Sequence, residues 1–275
     1  MPAVDANAVE RARGGDRAAL EALVRAAQDP IYRLSLRMLW HPADAEDATQ
    51  EILVRLVTRL DGFRGDAAFT TWAYRVAVNH LLTTRRRRAE SQSLSFEAFG
   101  DDLARGLDEP HDPRGVDEAL LAEEVKVGCT QAMLLCLDRE HRAAYILGEV
   151  FELESGDAAY ALEVTPAAYR KRLQRARERV QGFMAGHCGI VDPANACRCR
   201  RRIGTAMAQG RVDPGNLLYA RRGVAEMERL HSAAAVMRSH PEVRAPQRIM
   251  ALLEQTWIAG RPAGSRPGSR RAARG

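Results

Sequence analysis

Apolar residues recur at helical spacing through two long stretches of this chain, over about 9–88 and 116–184. In the segment DAEDATQEILVRLVTRL, for instance, Ala45, Ile52 and Leu56 fall on one face of a helix. Only 5% of the 275 residues are aromatic, and alanine, leucine, arginine and glutamate, which favour helices, dominate the composition. The pattern therefore predicts an all-α protein.

Breaks in this pattern divide the chain. The segment 61–72, DGFRGDAAFTTW, is predicted to be a loop between helices, and 90–115 is rich in Ser, Gly, Pro and acidic residues. We predict two small helical domains joined by a flexible acidic linker and followed by a Cys-containing helical extension and a disordered basic tail. The predicted bounds are 1–89 and 116–185 for the domains, 90–115 for the linker, 186–260 for the extension and 261–275 for the tail.

Charge and composition limit the classes of function. The chain has 41 Lys and Arg against 36 Asp and Glu, a net charge of +5, which suits a phosphate-rich partner. No stretch approaches the roughly 18 apolar residues that span a membrane, and no export signal is present. We therefore expect a cytoplasmic protein without a membrane partner. No nucleophile–base set, phosphate-binding Gly loop or HExxH motif appears, so we expect no enzyme activity and no required cofactor.

The acidic helix at 44–60 places carboxylates beside its buried stripe. Asp44, Asp47, Gln50 and Glu51 share a face that points outward. One interpretation is a solvated face, with acids near a helix N-terminus favoured by the helix dipole. The other is an interface with a basic partner. The next segment favours the second interpretation, since a short loop leads into a helix with Trp72 and Tyr74 that ends in four arginines, 85–88.

The segment 153–180, LESGDAAYALEVTPAAYRKRLQRARERV, is typical of a helix-turn-helix. Ser155 is predicted to cap the first helix, and Thr165 followed by Pro166 is an N-cap and first-turn proline for the second. Apolar residues of the second helix share one face, which leaves a basic face that fits a DNA major groove. That basic face consists of Arg170, Lys171, Arg172, Gln174, Arg175 and Arg177.

Three stretches, DAEDATQE (44–51), FRGDAAFTTWAYRVAVNHLLTTRRR (63–87) and RKRLQRAR (170–177), together resemble the sigma-70 family of bacterial RNA polymerase initiation factors, specifically its extracytoplasmic-function (ECF) subgroup. The resemblance covers about 9–88 and 116–184. It implies a promoter-specificity subunit that binds the beta and beta-prime subunits of core RNA polymerase, with the acidic helix docked on the beta-prime subunit. A separate anti-sigma factor is a further partner in this family.

The resemblance also assigns residues to promoter DNA. Binding and melting of the −10 element falls to Arg64, Asp66, Phe69, Thr70, Asn79, Arg85, Arg86 and Arg87. Binding of the −35 element falls to Thr165, Arg170, Lys171, Arg172, Gln174, Arg175 and Arg177. The chain departs from the family pattern at Asp157, at Glu163 in the turn, and at Tyr169, and these departures concern the promoter sequence rather than DNA binding itself.

The stretch 185–204, AGHCGIVDPANACRCRRRIG, lies beyond the family core. His187, Cys188, Cys197 and Cys199 are a possible zinc ligand set, although their spacing is not one of the usual finger spacings. The alternatives are redox-active thiols, whose pKa values the neighbouring arginines would lower, and a structural loop. Cys129 and Cys136 are predicted to be small buried residues. The extension is a candidate built-in regulator.

The alternative to a sigma factor is a stand-alone helix-turn-helix transcriptional regulator. In that case the N-terminal half would serve dimerisation or sensing, and the C-terminal segment would sense zinc or thiol oxidation. Symmetric DNA binding without polymerase distinguishes this alternative from a sigma factor.

Overall fold

The computed structural model describes residues 6–83, 94–218, 233–238 and 243–249. Their helices are α1 Ala6–Arg13, α2 Arg17–Leu39, α3 Pro42–Thr58, α4 Phe69–Thr83, α5 Phe96–Ala104, α6 Glu118–Leu135, α7 Arg139–Tyr145, α8 Ser155–Ala161, α9 Pro166–His187, α10 Ile203–Ala208 and α11 Ala233–Arg238. In these residues no strand is present beyond one isolated β-bridge. The all-α prediction is confirmed.

Helices α1 to α4 form the N-terminal unit. Asp16 caps α2 by accepting a hydrogen bond from the Ala19 amide at 3.1 Å. Pro42 is the first residue of α3, a position where the backbone N–H has no partner within the helix, so the missing N–H of proline costs no hydrogen bond. Ile31 and Leu34 of α2 and Leu53 of α3 are fully buried in the core. The segment 61–68 joins α3 to α4 without regular helix beyond one 3₁₀ turn at Leu60–Gly62, so this part of the predicted loop 61–72 is confirmed. Its last four residues are helical, because α4 already begins at Phe69.

Helices α6 to α9 form a second helical unit that contains the helix-turn-helix. Asp117 and Asp138 cap α6 and α7 through the Ala119 and His141 amides. A π-helical turn, Ile146–Val150, follows α7 and passes close to α9. Gly148 permits this approach, because a Cβ there would stand 2.8 Å from a methyl carbon of Leu173.

The two units share one hydrophobic core. Tyr74 of α4 lies against Phe151, with ring centroids 5.6 Å apart, and both units contribute to a single cluster of buried side chains. The guanidinium of Arg142 on α7 is buried and donates to the carbonyl oxygens of Leu134, Leu137 and Met38. Since Met38 belongs to α2 of the N-terminal unit, the buried guanidinium of Arg142 is hydrogen-bonded to both units.

The flexible-linker prediction for 90–115 is wrong for its described part. Residues 96–104 form α5, capped by Ser95, and Phe99 and Leu103 are buried against the rest of the chain. Phe99 stacks on Phe183 of α9, with ring centroids 5.4 Å apart. The physical reason is an apolar stripe at Phe96, Phe99 and Leu103, which has helical spacing. Burial of this stripe offsets the conformational entropy that the segment loses on folding.

The extension packs back on the linker and on both helical units. Arg202, whose side chain is only 4% exposed, donates to backbone and side-chain oxygens of Asp102, and Arg211 binds the same carboxylate at 2.7 Å. Further along, Val236 and Met237 of α11 are buried, and Arg238 donates to the Glu149 carbonyl at 2.8 Å. The extension was predicted to be helical, and only part of 186–260 falls in the described residues. There α10 and α11 are helical, whereas 214–218 is a turn.

The carboxylate of Asp102 is expected to make stability depend on pH. Burial raises the pKa of Asp102, but the hydrogen bond from Arg211 and the charges of Arg211 and Arg202 outweigh it and hold the pKa below its ordinary value. The ionised form therefore favours folding, and its contribution is present above about pH 4 and lost as the pH falls through the lowered pKa. Asp102→Asn is expected to lower the free energy of unfolding at pH 7 by about 1–2 kcal/mol.

The measurement is urea unfolding at pH values from 7 down to 3. The wild type should lose more stability than Asp102→Asn over the acidic part of this range. Asp101→Asn, an exposed neighbour on the same helix, is the matched control and should follow the wild type. Equal pH dependence of the wild type and Asp102→Asn would contradict the prediction.

Candidate nucleic-acid interface

The acidic face of α3 is positioned as the sequence predicts. Ala45, Ala48 and Ile52 are fully buried and fix the rotation of the helix. The four polar residues of the face then point away from the core: Asp47 and Glu51 are exposed, and Asp44 and Gln50 are partly exposed. We call Asp44, Asp47, Gln50 and Glu51 the acidic surface. Glu51 also lies 3.6 Å from Nε2 of the buried His80, which joins this surface to α4.

The loop before α4 and one face of α4 carry most of the residues predicted to bind the −10 element. Arg64 and Asp66 are exposed in the loop, whereas Thr70 and Asn79 are partly exposed on α4. The side chain of Asn79 is already hydrogen-bonded to a distant segment of the chain. Its Nδ2 donates to Glu163 Oε2 at 2.9 Å. Arg85, Arg86 and Arg87 lie outside the described residues.

The placement of Phe69 corrects its predicted role. Its side chain is 6% exposed and packs with Phe63 and Trp72, with ring centroids 6.0 and 5.8 Å away. A ring enclosed by two other rings has no free face on which a DNA base can stack. Phe69 is therefore a core residue that supports the loop, and the aromatic spacing of the sequence reflects packing.

Replacing Phe69 by leucine tests this correction. Because the swap nearly conserves volume in an apolar cluster, Phe69→Leu should cost about 1 kcal/mol of unfolding free energy and leave promoter melting within about threefold of wild type. A stacking role would instead cost about 1–3 kcal/mol at the melting step, since leucine offers no π-face. Permanganate reactivity of unpaired thymines in polymerase–promoter complexes separates the two results.

The helix-turn-helix has the predicted turn and one predicted cap. Thr165 Oγ1 accepts from the Ala168 amide at 3.2 Å and Pro166 is the first residue of α9. Glu163 occupies the turn with φ of 53°, a left-handed conformation that costs a non-Gly residue about 1 kcal/mol. The prediction for Ser155 is wrong, because α8 begins at Ser155 itself and Glu154 stands at the N-cap without a side-chain bond.

The basic face of α9 divides into two groups. Arg172 and Arg177 are held in ion pairs with Glu140 at 2.8 Å and Glu149 at 2.5 Å. Gln174 donates to Glu178 of the same helix at 2.9 Å. By contrast, three exposed cations have no ion-pair partner among the residues that the structure describes, and we call them the free cations of α9: Arg170, Lys171 and Arg175.

Glu163 joins the two predicted DNA-binding elements. Its carboxylate accepts from Arg75 Nε at 2.7 Å and from Asn79 at 2.9 Å, across 88 and 84 positions of sequence. The Arg75 guanidinium also lies 5.0 Å from the ring of Tyr160 on α8. The sequence pattern of α4 or of the helix-turn-helix alone does not predict this contact. In this arrangement the side-chain amide of Asn79 is hydrogen-bonded to the turn of the helix-turn-helix.

The structure brings the three cysteines of the predicted zinc set to one cavity, and His187 is not among the residues that line it. Among the described residues, no three His, Cys, Asp or Glu side chains are arranged to hold a metal ion. The ring of His187 packs on Phe183, with centroids 4.6 Å apart, whereas Cys188, Cys197 and Cys199 line one cavity of about 220 Å³. Cys129 of α6, predicted only as a small core residue, lines the same cavity.

For Cys197 and Cys199, the prediction that neighbouring arginines lower the thiol pKa values is wrong. Burial raises the pKa of Cys199 to about 12, and Cys188 and Cys197 beside it add to the rise. Burial and the neighbouring thiols likewise raise the pKa of Cys129 and of Cys197, and for Cys197 they outweigh the opposing charges of three arginines. Loss of hydration therefore dominates in this cavity.

An acidic surface on one helical unit and a helix-turn-helix with exposed cations on another define a DNA-binding transcription protein. Residues 23–91 match the Sigma-70 region 2 family model. The chain is 31% identical over 183 residues to the RNA polymerase sigma-H factor of Pseudomonas aeruginosa, covering 64% of this chain and 91% of that protein. It is 31% identical over 176 residues to the ECF RNA polymerase sigma-E factor of Escherichia coli K12, covering 62% and 90%.

This chain belongs to the ECF subgroup of the sigma-70 family of RNA polymerase sigma factors. The stand-alone regulator is not favoured, because these relatives are sigma factors matched over nine-tenths of their length. The structure of the sigma factor RpoE in complex with the anti-sigma factor NepR from Bartonella quintana covers 58% of this chain and 92% of its own, with 17% identity. Its TM-score of 0.38 is too low to carry an inference. No helix in the described ranges is long and apolar enough to cross a membrane.

Proposed function

We propose that this sigma factor binds core RNA polymerase through the acidic surface of α3 and reads promoter DNA through α4 and α9, without covalent chemistry of its own. The observation that carries the proposal is the presence of two exposed surfaces of opposite charge on separate helices of one chain. The acidic surface suits a basic protein partner, and the free cations of α9 suit DNA phosphates and base edges. Since both partners reside in the cytoplasm, we place its action there.

For the polymerase, the proposed contact is between the acidic surface and the beta-prime subunit of the core enzyme, and the beta subunit is a further proposed partner of the chain. Ala45, Ala48 and Ile52 hold α3 rigidly against the core, so the carboxylates are presented without a large ordering cost. Charge at such an interface contributes register and association rate as well as affinity.

For the −10 element, the exposed loop residues Arg64 and Asp66 and the helix residues Thr70 and Asn79 are the proposed contacts. Phe69 supports them from the core. Contact of Asn79 with DNA requires release of its bond to Glu163, so we propose that the helix-turn-helix moves from α4 when polymerase and promoter bind. An anti-sigma factor and zinc remain predictions from the sequence.

For the −35 element, the proposed readers are the free cations of α9, with Arg170 and Lys171 nearest the N-terminal end that enters a major groove. Arg170→Ala with Lys171→Ala is expected to weaken binding of the polymerase holoenzyme to a promoter fragment by about 10- to 100-fold, since lost base or phosphate contacts cost about 1–3 kcal/mol. The measurement is fluorescence anisotropy of labelled promoter DNA at fixed salt.

The matched control is Arg172→Ala, which removes an equal side chain from the same turn. Because Arg172 is paired with Glu140, its loss should change DNA affinity by less than about threefold. Equal losses for Arg172→Ala and for the double variant would contradict the assignment of Arg170 and Lys171 to DNA.

A further inference from the structure

The loop between α9 and α10 places two thiols side by side. Cys188 is the residue that ends α9, and Cys197 pairs with it in an isolated parallel β-bridge. The Gly189 amide donates to the Cys197 carbonyl at 3.0 Å, which fixes the register of the bridge. Bridged residues in parallel strands lie about 5 Å apart, within the Cα separation that a disulfide requires.

The side chains of both residues point the same way. Cys188 and Cys197 are partly exposed and line the same cavity of about 220 Å³, which exceeds the space that a peroxide molecule occupies. Directly paired residues of a β-bridge place their side chains on one side of it, and the shared cavity agrees with this. Both side chains therefore border one space that a small oxidant fits.

The loop is already held in the conformation that a disulfide would close. Asn195 Nδ2 donates to the Ala185 carbonyl at 2.8 Å, and Arg198 donates to the carbonyl oxygens of Pro193 and Cys197 at 3.0 Å. Asp192 accepts from the Ala194 amide at 2.9 Å and so shapes the turn. Bond formation between the two sulfurs consequently needs little backbone movement.

We propose that Cys188 and Cys197 are an oxidation site, and that hydrogen peroxide converts this pair to a disulfide that closes the loop after α9. The same four-thiol cavity does not have three ligands arranged for a metal, so the geometry favours a pair over a metal cluster. This inference does not depend on the proposed promoter contacts, and its test does not use transcription.

The reaction balances in two steps. One thiolate attacks the peroxide, so that an S–O bond forms, the O–O bond breaks, and the leaving hydroxide takes up the thiol proton as water. The second thiol attacks the sulfenic sulfur, an S–S bond forms, the S–O bond breaks, and a second water leaves. The two sulfurs together lose two electrons and the peroxide gains them.

The experiment treats the fully reduced full-length chain with hydrogen peroxide and maps its thiols. The chain has 5 cysteines, and two thiols should be lost in favour of a disulfide. Trypsin releases Cys188 and Cys197 together in the peptide 180–198, and Cys199 in a separate peptide, 199–200. Mild acid then cleaves the Asp192–Pro193 bond. The two halves should stay joined until a reductant separates them.

Variants sharpen the result. Cys188→Ser and Cys197→Ser should each abolish the linked product, whereas Cys136→Ser, away from the cavity, should leave it unchanged. Loss of the pair in the wild type should be at least about tenfold faster than loss of Cys136, because Cys136 is not among the residues that line the cavity and has no bridged thiol beside it. Circular dichroism of each reduced variant confirms that it folds.

Three results would overturn the proposal. In the first, the peptide 180–198 keeps both thiols while other cysteines oxidise. In the second, it becomes linked to Cys199 or Cys129 instead. In the third case, the native thiols stay unreactive until a chelator is added and zinc is detected in the purified chain, which would establish a metal site.

Discussion

Reversing the charge of the acidic surface with Asp47→Lys and Glu51→Lys together is expected to weaken binding to core RNA polymerase by about 100-fold or more. Both side chains are exposed, so the substitutions leave the buried face of α3 intact. Like charges placed against one another at an interface cost several kcal/mol, and about 2.7 kcal/mol corresponds to 100-fold. Titration of labelled sigma factor with core enzyme measures the change.

The matched control carries the same two substitutions on another helix. Glu97→Lys with Asp101→Lys also reverses two exposed acids four positions apart, on α5, and gives the same net charge as the test variant. It should bind core enzyme within about threefold of wild type. If both double variants lose affinity equally, net charge rather than the acidic surface governs the interaction.

Arg142→Met is expected to have the largest effect on stability. It removes a buried guanidinium that donates to the carbonyls of Leu134, Leu137 and Met38, and leaves those acceptors without their donor. An unsatisfied buried polar group costs about 1–3 kcal/mol, so we expect a loss of about 3–5 kcal/mol after the gain from burying methionine. Urea unfolding followed by circular dichroism measures it.

Arg179→Met is the control for this substitution. Arg179 is 52% exposed and lies 3.8 Å from Asp138, so its removal should change the free energy of unfolding by less than about 1 kcal/mol. A loss below 1 kcal/mol for Arg142→Met would mean that the buried bonds do not hold α7 to α2. In that event the hydrogen bonds of Arg142 would not be a main source of stability at the contact between the two units.

Local features of this fold were predictable from sequence because their causes lie within a few residues. Thr165 and Pro166 start α9 through a side-chain cap and a fixed φ, and both act over a single turn. The acidic surface was predictable from the helical spacing of Ala45, Ala48 and Ile52, since the buried stripe determines which residues point outward. These features needed no knowledge of distant contacts.

The signal for α5 was present in the sequence but was outweighed by composition. Phe96, Phe99 and Leu103 have helical spacing, whereas the Ser, Gly, Pro and acidic residues around them indicate a loop. Burial of two phenylalanine rings against α9 decides the outcome, because aromatic side chains contribute a large apolar area. The spacing of the apolar residues, taken before the composition of the segment, predicts this helix.

Contacts between distant segments were not predictable. Glu163 binds Asn79 across 84 positions, and Asp102 binds Arg202 across 100, and no local pattern specifies either pair. The meeting of Cys129 with the three later cysteines likewise depends on how α6 packs against the extension. Such pairs form only when distant segments pack together, and no pattern within a few neighbouring residues specifies that packing.

The most direct test of the central claim is run-off transcription from a library of bacterial promoters, with core RNA polymerase alone and with this chain added. If the chain is a promoter-specificity subunit, new and discrete start sites appear, each preceded by a shared two-part motif, and Asp47→Lys with Glu51→Lys removes them. No new start sites above core enzyme alone, with a folded chain that binds DNA by itself, would contradict the account.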